Sequence, residues 1–282
     1  MRVSRAVNRQ NSLPRFGRTN PKLGIMNLMA FEPAQMKQLV SLARQAGKIA
    51  QDARATLKKE LKTDGSIVSS ADRMTEEFLR PKLEELVSGT KVYGEEFGND
   101  GAGVGGQWAV DPIDGTSNFV YGSPLWGVSI GLIEQNVLTA GVVFLPDLNE
   151  MYSAILGRGA QCNGKDLAPV PDGPIGSVEL LSYNDNLLRS FPGKIWPGKM
   201  RCSGAFVIDA MWVARQRFRG LVGVRGKLYD VAASVLINQE AGAEVTYIDG
   251  SPFVIENLMD GKTIPMPYTF LPKGAGPLLS KV

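Results

Sequence analysis

The sequence predicts a mixed α/β protein, an α+β half followed by an α/β half. Three observations predict it. Two amphipathic helical stretches open the body of the chain, short apolar runs separated by turns follow them, and strands and helices alternate after a Pro- and Gly-rich passage. With 282 residues, 44% of them hydrophobic, the chain can build a substantial core in one large or two fused units.

Between 31 and 57, apolar residues recur at Met36, Leu39, Val40, Ala43, Ala46, Ala50, Ala53 and Leu57, the stripe of a long helix. Asp64-Gly65 marks a turn within 62–70. A second helix is expected from about Asp72, with Met74, Phe78, Leu79, Leu83 and Leu86 on one side. Strands are expected at 91–94, 107–110, 125–132 and 137–144. These complete an N-terminal unit, 31–170. The C-terminal unit, 171–282, reads as strand 177–182, helix 204–218, strand 220–224, helix 229–241 and strand 244–248. The stretch from Ser251 carries Pro252, Pro265, Pro267 and Pro272 and is expected to wrap the surface.

Residues 1–30 read as a basic, disordered leader. Arg2, Arg5, Arg9, Arg15, Arg18 and Lys22 all precede the first acid, Glu32. An organelle-targeting segment shares that composition, as does an upstream extension of a chain starting at Met26 or Met29. Without the leader, the net charge of +3 leaves the body slightly acidic, which gives no footprint for nucleic acid. No run approaches the ~20 apolar residues of a membrane span. Cys162 and Cys202 form no metal-binding or disulfide pattern, and a cytoplasmic protein is expected. Histidine is absent, which excludes Ser-His-Asp triads and imidazole metal centres. Hydrolytic chemistry here must use carboxylates, hydroxyls and metal.

The informative segment is Trp108-Ala109-Val110-Asp111-Pro112-Ile113-Asp114-Gly115-Thr116-Ser117-Asn118-Phe119. An apolar strand ends in an acid, Pro112 stops the ladder, and a second acid follows with a Gly-Thr pair. Gly115 and Thr116 can open a helical turn whose free N–H groups suit a phosphate. Glu95 ends another strand, and Asp230 stands near the start of a later helix. Carboxylates ~4 Å apart repel by about 4 kcal/mol per pair at an effective dielectric near 20, so such a cluster calls for cations, and Mg²⁺ suits oxygen donors. Each residue also has a plainer role. Asp111 and Asp114 are possible turn acids, Asp72 a helix cap, and Lys62 and Arg201 solvated charges. Gly101, Gly103 and Gly106 satisfy GxGxxG but precede a strand, which suits a mobile loop and not a dinucleotide site. Neither covalent phosphatase signature, DxDx[TV] nor Cx₅R, is present.

The Gly94-Glu95-Glu96 element, the Asp111-Pro112-Ile113-Asp114-Gly115-Thr116 block and Asp230-Val231-Ala232-Ala233 resemble the signature of the inositol monophosphatase superfamily, with further likeness at Asp64-Gly65-Ser66, Ala71-Asp72 and Glu240-Ala241-Gly242. The resemblance runs from about Phe31 to Phe253. It implies a layered αβαβα sugar-phosphatase fold, a homodimer, dependence on Mg²⁺ and inhibition by Li⁺. It further implies that Glu95, Asp111 and the Ile113 carbonyl hold one metal, and Asp111, Asp114 and Asp230 a second. A third site would use Glu95 and water. Asp72 and Thr116 would orient and help deprotonate the attacking water. Asp114, Gly115, Thr116, Gly204 and Ala205 would bind the substrate, a small phosphorylated metabolite, for in-line hydrolysis without a covalent intermediate.

Departures from the family pattern fall on the substrate side. Gly223 stands where inositol-hydrolysing members carry a Glu for substrate hydroxyls. Tyr229 replaces a Trp, Phe206 a small residue, and Phe218-Arg219-Gly220 a Leu-Asp-Gly. The expected activity is therefore phosphomonoester hydrolysis of a small polyol or sugar phosphate. Histidinol phosphate, fructose 1,6-bisphosphate and 3′-phosphonucleotides are alternatives. A catalytically silent binding or regulatory homologue is the competing class.

Overall fold

The structure, a computed structural model, describes residues 31–61, 67–101, 103–183 and 185–279. The leader, Lys62 and the Asp64-Gly65-Ser66 turn lie outside the described residues.

Helix α1 (Pro33–Ala53) starts with proline at its first turn, where a missing N–H costs nothing, and buries Leu39, Ala43, Ala46, Ala50 and Ala53. Strands β1 (Lys59–Leu61) and β2 (Ile67–Ser69) pair antiparallel. Helix α2 (Ser70–Leu86) begins two residues before the expected start, because Ser69 is its N-cap and Asp72 occupies the third helical position of a capping box.

The first sheet contains β3 (Thr90–Gly94), β4 (Gly98–Asn99), β5 (Gly106–Asp114), β6 (Gly127–Glu134), β7 (Val137–Leu145), β8 (Glu150–Ile155), β9 (Ala160–Cys162) and β10 (Lys165–Asp166), with helix α3 (Thr116–Val120) between β5 and β6. Its order is β10-β9-β8-β7-β6-β5-β3-β4. Among the described residues of this sheet, only β3 and β5 run parallel. Pro112 does not end β5. The pairing with β6 shifts register between Asp111 and Asp114, and the strand resumes with Asp114 opposite Gly127. This irregularity turns a strand end into a kinked platform for two acids. The expected mobile glycine loop is anchored at its end. Gly103 and Gly106 bridge each other, and Gly105 N–H donates to Gly89 O at 2.9 Å.

The second sheet contains β11 (Leu180–Tyr183), β12 (Lys199–Arg201), β13 (Gly220–Gly223), β14 (Glu244–Tyr247) and β15 (Tyr268–Leu271), in the order β12-β11-β13-β15-β14. Helices α4 (Asp185–Ser190), α5 (Phe206–Ala214) and α6 (Leu228–Glu240) connect them. The expected surface wrap after Ser251 is overturned in part. β15 lies inside the sheet, pairing with both β13 and β14, and Phe270 is fully buried. The flanking prolines stand outside its four residues, so no ladder N–H is lost.

Helices α1 and α2 cover one face of the first sheet through a core around Trp108, Val110, Ile130 and Val142. Helices α5 and α6 fill the space between the sheets with a second core that includes Val207, Met211, Val231 and Leu236. Leu187 of α4 joins Leu181, Tyr183 and Val222 on the outer face of the second sheet. The succession is α-β-α-β-α, the expected layered architecture, with a thin last layer.

Candidate active site

Four separate elements deliver acids to the ends of β3 and β5. Asp111 and Asp114 come from the kinked β5, Glu95 follows β3, Asp72 sits in the first turn of α2, and Asp230 in the first turn of α6. Asp111 is 3% exposed and Asp114 7%, whereas Glu95 and Asp230 are partly exposed. Burial and then the charge of Glu95 push the Asp111 carboxyl well above the ordinary carboxylate range, with Asp114, Asp230 and Asp72 adding to the effect. Burial and Asp230 push Asp114 the same way, against N–H donation from α5. The five acids therefore share one electrostatic site.

The hydrogen bonds show how each is aimed. Ile113 N–H donates to Asp111 Oδ1 at 3.0 Å, and Val207 N–H donates to Asp114 Oδ2 at 3.3 Å. Lys227 N–H donates to Asp230 Oδ2 at 2.6 Å. Thr116 Oγ1 stands 3.2 Å from Asp72 Oδ1 and 3.0 Å from the Ile113 carbonyl oxygen. Asp72 is fully buried, and desolvation raises its pKa to about 6 despite hydrogen bonds from Ser69. Gly115 caps α3 with φ 86°, and a Cβ there would stand 2.7 Å from Ala205 Cβ, so both the backbone angle and the neighbour require glycine. Among the described residues, no three Asp, Glu or Cys side chains stand together closely enough to hold a metal ion.

A cavity of about 370 Å³ opens beside these acids. Asp114, Asp230, Gly204 and Ala205 line it, so the two residues just before α5 share a cavity with two of the acids. The α5 N-terminus itself is turned on Asp114. A Cβ on Gly223 would fall 2.4–2.7 Å from the Tyr268 ring. Tyr268 thus fills the space a larger residue at 223 would need, and it packs edge-on against Phe206.

Sequence reasoning did not single out Glu76, Asp209 or Tyr268. Glu76 is fully buried, one helical turn after Asp72, and its carboxylate accepts the Glu96 N–H at 2.7 Å and the Phe97 N–H at 3.2 Å. It fixes the turn that carries Glu95. The signal was the i, i+4 spacing of two acids on one helix face. For Asp209 the one available signal is a lone acid in the apolar run of α5, and Tyr268 gives no local signal.

The inositol monophosphatase family matches residues 33–260, most of the chain. The protein belongs to the inositol monophosphatase family. It is, as a member, a phosphoric monoester hydrolase. A histidinol-phosphatase of Chlorobaculum parvum is 39% identical over 240 residues, covering 80% of this chain and 93% of the relative. An inositol-1-monophosphatase of Mesorhizobium japonicum is 31% identical, covering 83% and 89%. Among solved structures, an IMPase/NADP phosphatase complexed with Mg²⁺ and phosphate superposes with a TM-score of 0.73 at 22% identity, covering 86% of this chain and 92% of that one. Inositol monophosphatase family membership thus agrees with the layered fold. No helix among the described residues is long and apolar enough to cross a membrane.

Proposed function

We propose that the protein is a Mg²⁺-dependent phosphomonoesterase acting on a small polyol or sugar phosphate, with histidinol phosphate the main alternative. The carrying observation is the shared site: buried Asp111 and Asp114, whose carboxyls are held far above their ordinary range by burial and by Glu95 and Asp230. The donors are all hard oxygens, the set that suits Mg²⁺, and a divalent ion would relieve their mutual repulsion. Glu95, Asp111, the Ile113 carbonyl, Asp114 and Asp230 would hold it. Bound there, Mg²⁺ supplies neutralisation of phosphoryl charge and activation of water.

The protein's own groups do the rest. Asp72 Oδ1 and Thr116 Oγ1 orient the attacking water, and Asp72, with a pKa raised to about 6, takes its proton. Ser69 holds the other Asp72 oxygen, so the carboxylate cannot swing away. The N–H groups of Gly115 and Thr116 receive phosphoryl oxygens at the start of α3. Gly204 and Ala205 line the path of the departing alcohol. A homodimer in the cytoplasm, with a small metabolite and neither nucleic acid nor membrane as partner, completes the proposal.

The test is phosphate release from inositol 1-phosphate, histidinol phosphate, fructose 1,6-bisphosphate and a 3′-phosphonucleotide, titrated with Mg²⁺ and then Li⁺. Release that saturates with Mg²⁺ and falls with Li⁺ is expected. Binding of Mg²⁺ in calorimetry without release from any ester would instead identify a silent homologue.

A further inference from the structure

We propose that Asp209 reads a hydrogen-bond donor, a hydroxyl or an ammonium, on the alcohol portion of the phosphate ester. The inference rests on the phosphatase reading above and deepens it. Three observations converge on this side chain. It lines the same cavity as Asp114 and Asp230, so a molecule whose phosphate meets those acids extends past it. It is 9% exposed, and its Oδ1 has no hydrogen-bond partner among the described residues. The Ser182 and Ser203 hydroxyls and the Ser203 backbone N–H hydrogen-bond the carboxylate, so the open acceptor is Oδ1 alone.

A buried carboxylate oxygen without a donor is costly, and such orphans in native proteins call for a ligand or water. The surroundings favour a ligand. Phe206, Leu221, Val222 and Tyr268 give the cavity an apolar wall beside its polar residues, which offers a small organic molecule a surface that a lone water does not need. Gly223, hemmed in by the Tyr268 ring, leaves β13 with only the apolar Leu221 and Val222 side chains toward the cavity. The carboxylate that β13 lacks is thus present on α5, two residues beyond the Val207 N–H that holds Asp114. Asp114 and the reader are fixed by the same short helix, so the phosphate and the donor are read at a set separation.

The experiment compares wild type, Asp209→Asn, Asp209→Ala and Asp111→Asn, each with Mg²⁺, on three esters. Inositol 1-phosphate offers hydroxyls, histidinol phosphate an ammonium, and phenyl phosphate no donor. Wild type is expected to prefer one of the two donor esters to phenyl phosphate. On that ester Asp209→Ala lowers kcat/KM by about 10–100-fold, chiefly through KM, and by at least about fivefold more than on phenyl phosphate. Asp209→Asn, close to isosteric and still an acceptor, recovers much of the loss if the donor is a hydroxyl and little if it is an ammonium. Should Asp209→Ala fail to fold, Asp209→Leu, which fills the volume without an acceptor, takes its place in the same comparison. Equal losses on all three esters, no loss on any, or no wild-type preference for a donor ester overturns the inference. Asp111→Asn separates the two levels. If it abolishes release while Asp209 variants behave like wild type, only the Asp209 reading falls; if it keeps the wild-type rate on all esters, the phosphatase reading falls and takes the inference with it.

Discussion

Thr116 Oγ1 stands 3.2 Å from Asp72 Oδ1, while Asp72 Oδ2 accepts from the Ser69 N–H at 2.9 Å and the Ser69 hydroxyl at 2.6 Å. One carboxylate thus serves as helix cap through one oxygen and faces the site through the other. The two duties separate by mutation. Asp72→Asn keeps an acceptor for the cap but cannot take a proton, so kcat is expected to fall about 10²–10⁴-fold with little change in Tm. Ser69→Ala is expected to cost about 1 kcal/mol of stability, and urea unfolding beside steady-state kinetics checks both.

Glu76 and Gly94 form a second pair. A Cβ on Gly94 would lie only 1.9 Å from Glu76 Oε1, and Glu76 is held in place by Arg80 at 2.8 Å and by two backbone N–H groups. Gly94→Ala is expected to lose about 1–3 kcal/mol through overpacking. Glu76→Ala is expected to lose about 3–5 kcal/mol, because it strands Arg80 and both N–H groups. Both variants should need more Mg²⁺ for half-maximal activity, since the turn bearing Glu95 loosens. An unchanged Mg²⁺ requirement in folded Glu76→Ala would separate Glu76 from the site.

Stability should depend on pH with an unusual sign. Burial raises both Asp72 and Asp209 from 3.8 to about 6, so between those values the folded chain holds protons the unfolded chain releases. The stabilisation is complete below about pH 4 and is lost as pH rises through about 6. In chelator, Tm is therefore expected to fall from pH 5 to 7. Asp209→Asn should flatten part of that fall, gaining about 1–3 kcal/mol at pH 7 and nothing at pH 4. A Tm that rises over this range, or an Asp209→Asn slope equal to wild type, would contradict the assignment.

β15 gives a prediction that the sequence alone would have opposed. Phe270 is fully buried between the flanking strands, meets Phe206 edge-on and lies tilted beside Tyr268. Phe270→Ala is expected to cost about 3–5 kcal/mol in urea unfolding. A loss under 1 kcal/mol would mean that the segment lies on the surface.

What the sequence made legible follows the range of the forces involved. α1, α2, α5 and α6 were readable because their apolar periodicity is local, and β6 and β7 because their runs are long and apolar. β8 to β10 and β15 were not, because short strands owe their state to neighbours distant in sequence. The acids at 95, 111, 114 and 230 were legible as a motif, and the structure brings them into one electrostatic site. Pro112 misled in detail, since a register shift lets the strand pass it. Glu76, Asp209 and Tyr268 act through contacts made only on folding, such as the Glu76 carboxylate against the turn after Gly94.

The most direct measurement is phosphate release by wild type and Asp111→Asn across the ester panel, with Mg²⁺ and with chelator. Wild type is expected to turn over at least one ester only with Mg²⁺, and Asp111→Asn to lose about 10³-fold or more with its fold intact by circular dichroism. Equal release by the two proteins, or wild-type release that survives the chelator, would contradict a carboxylate-held Mg²⁺ site at the end of β5.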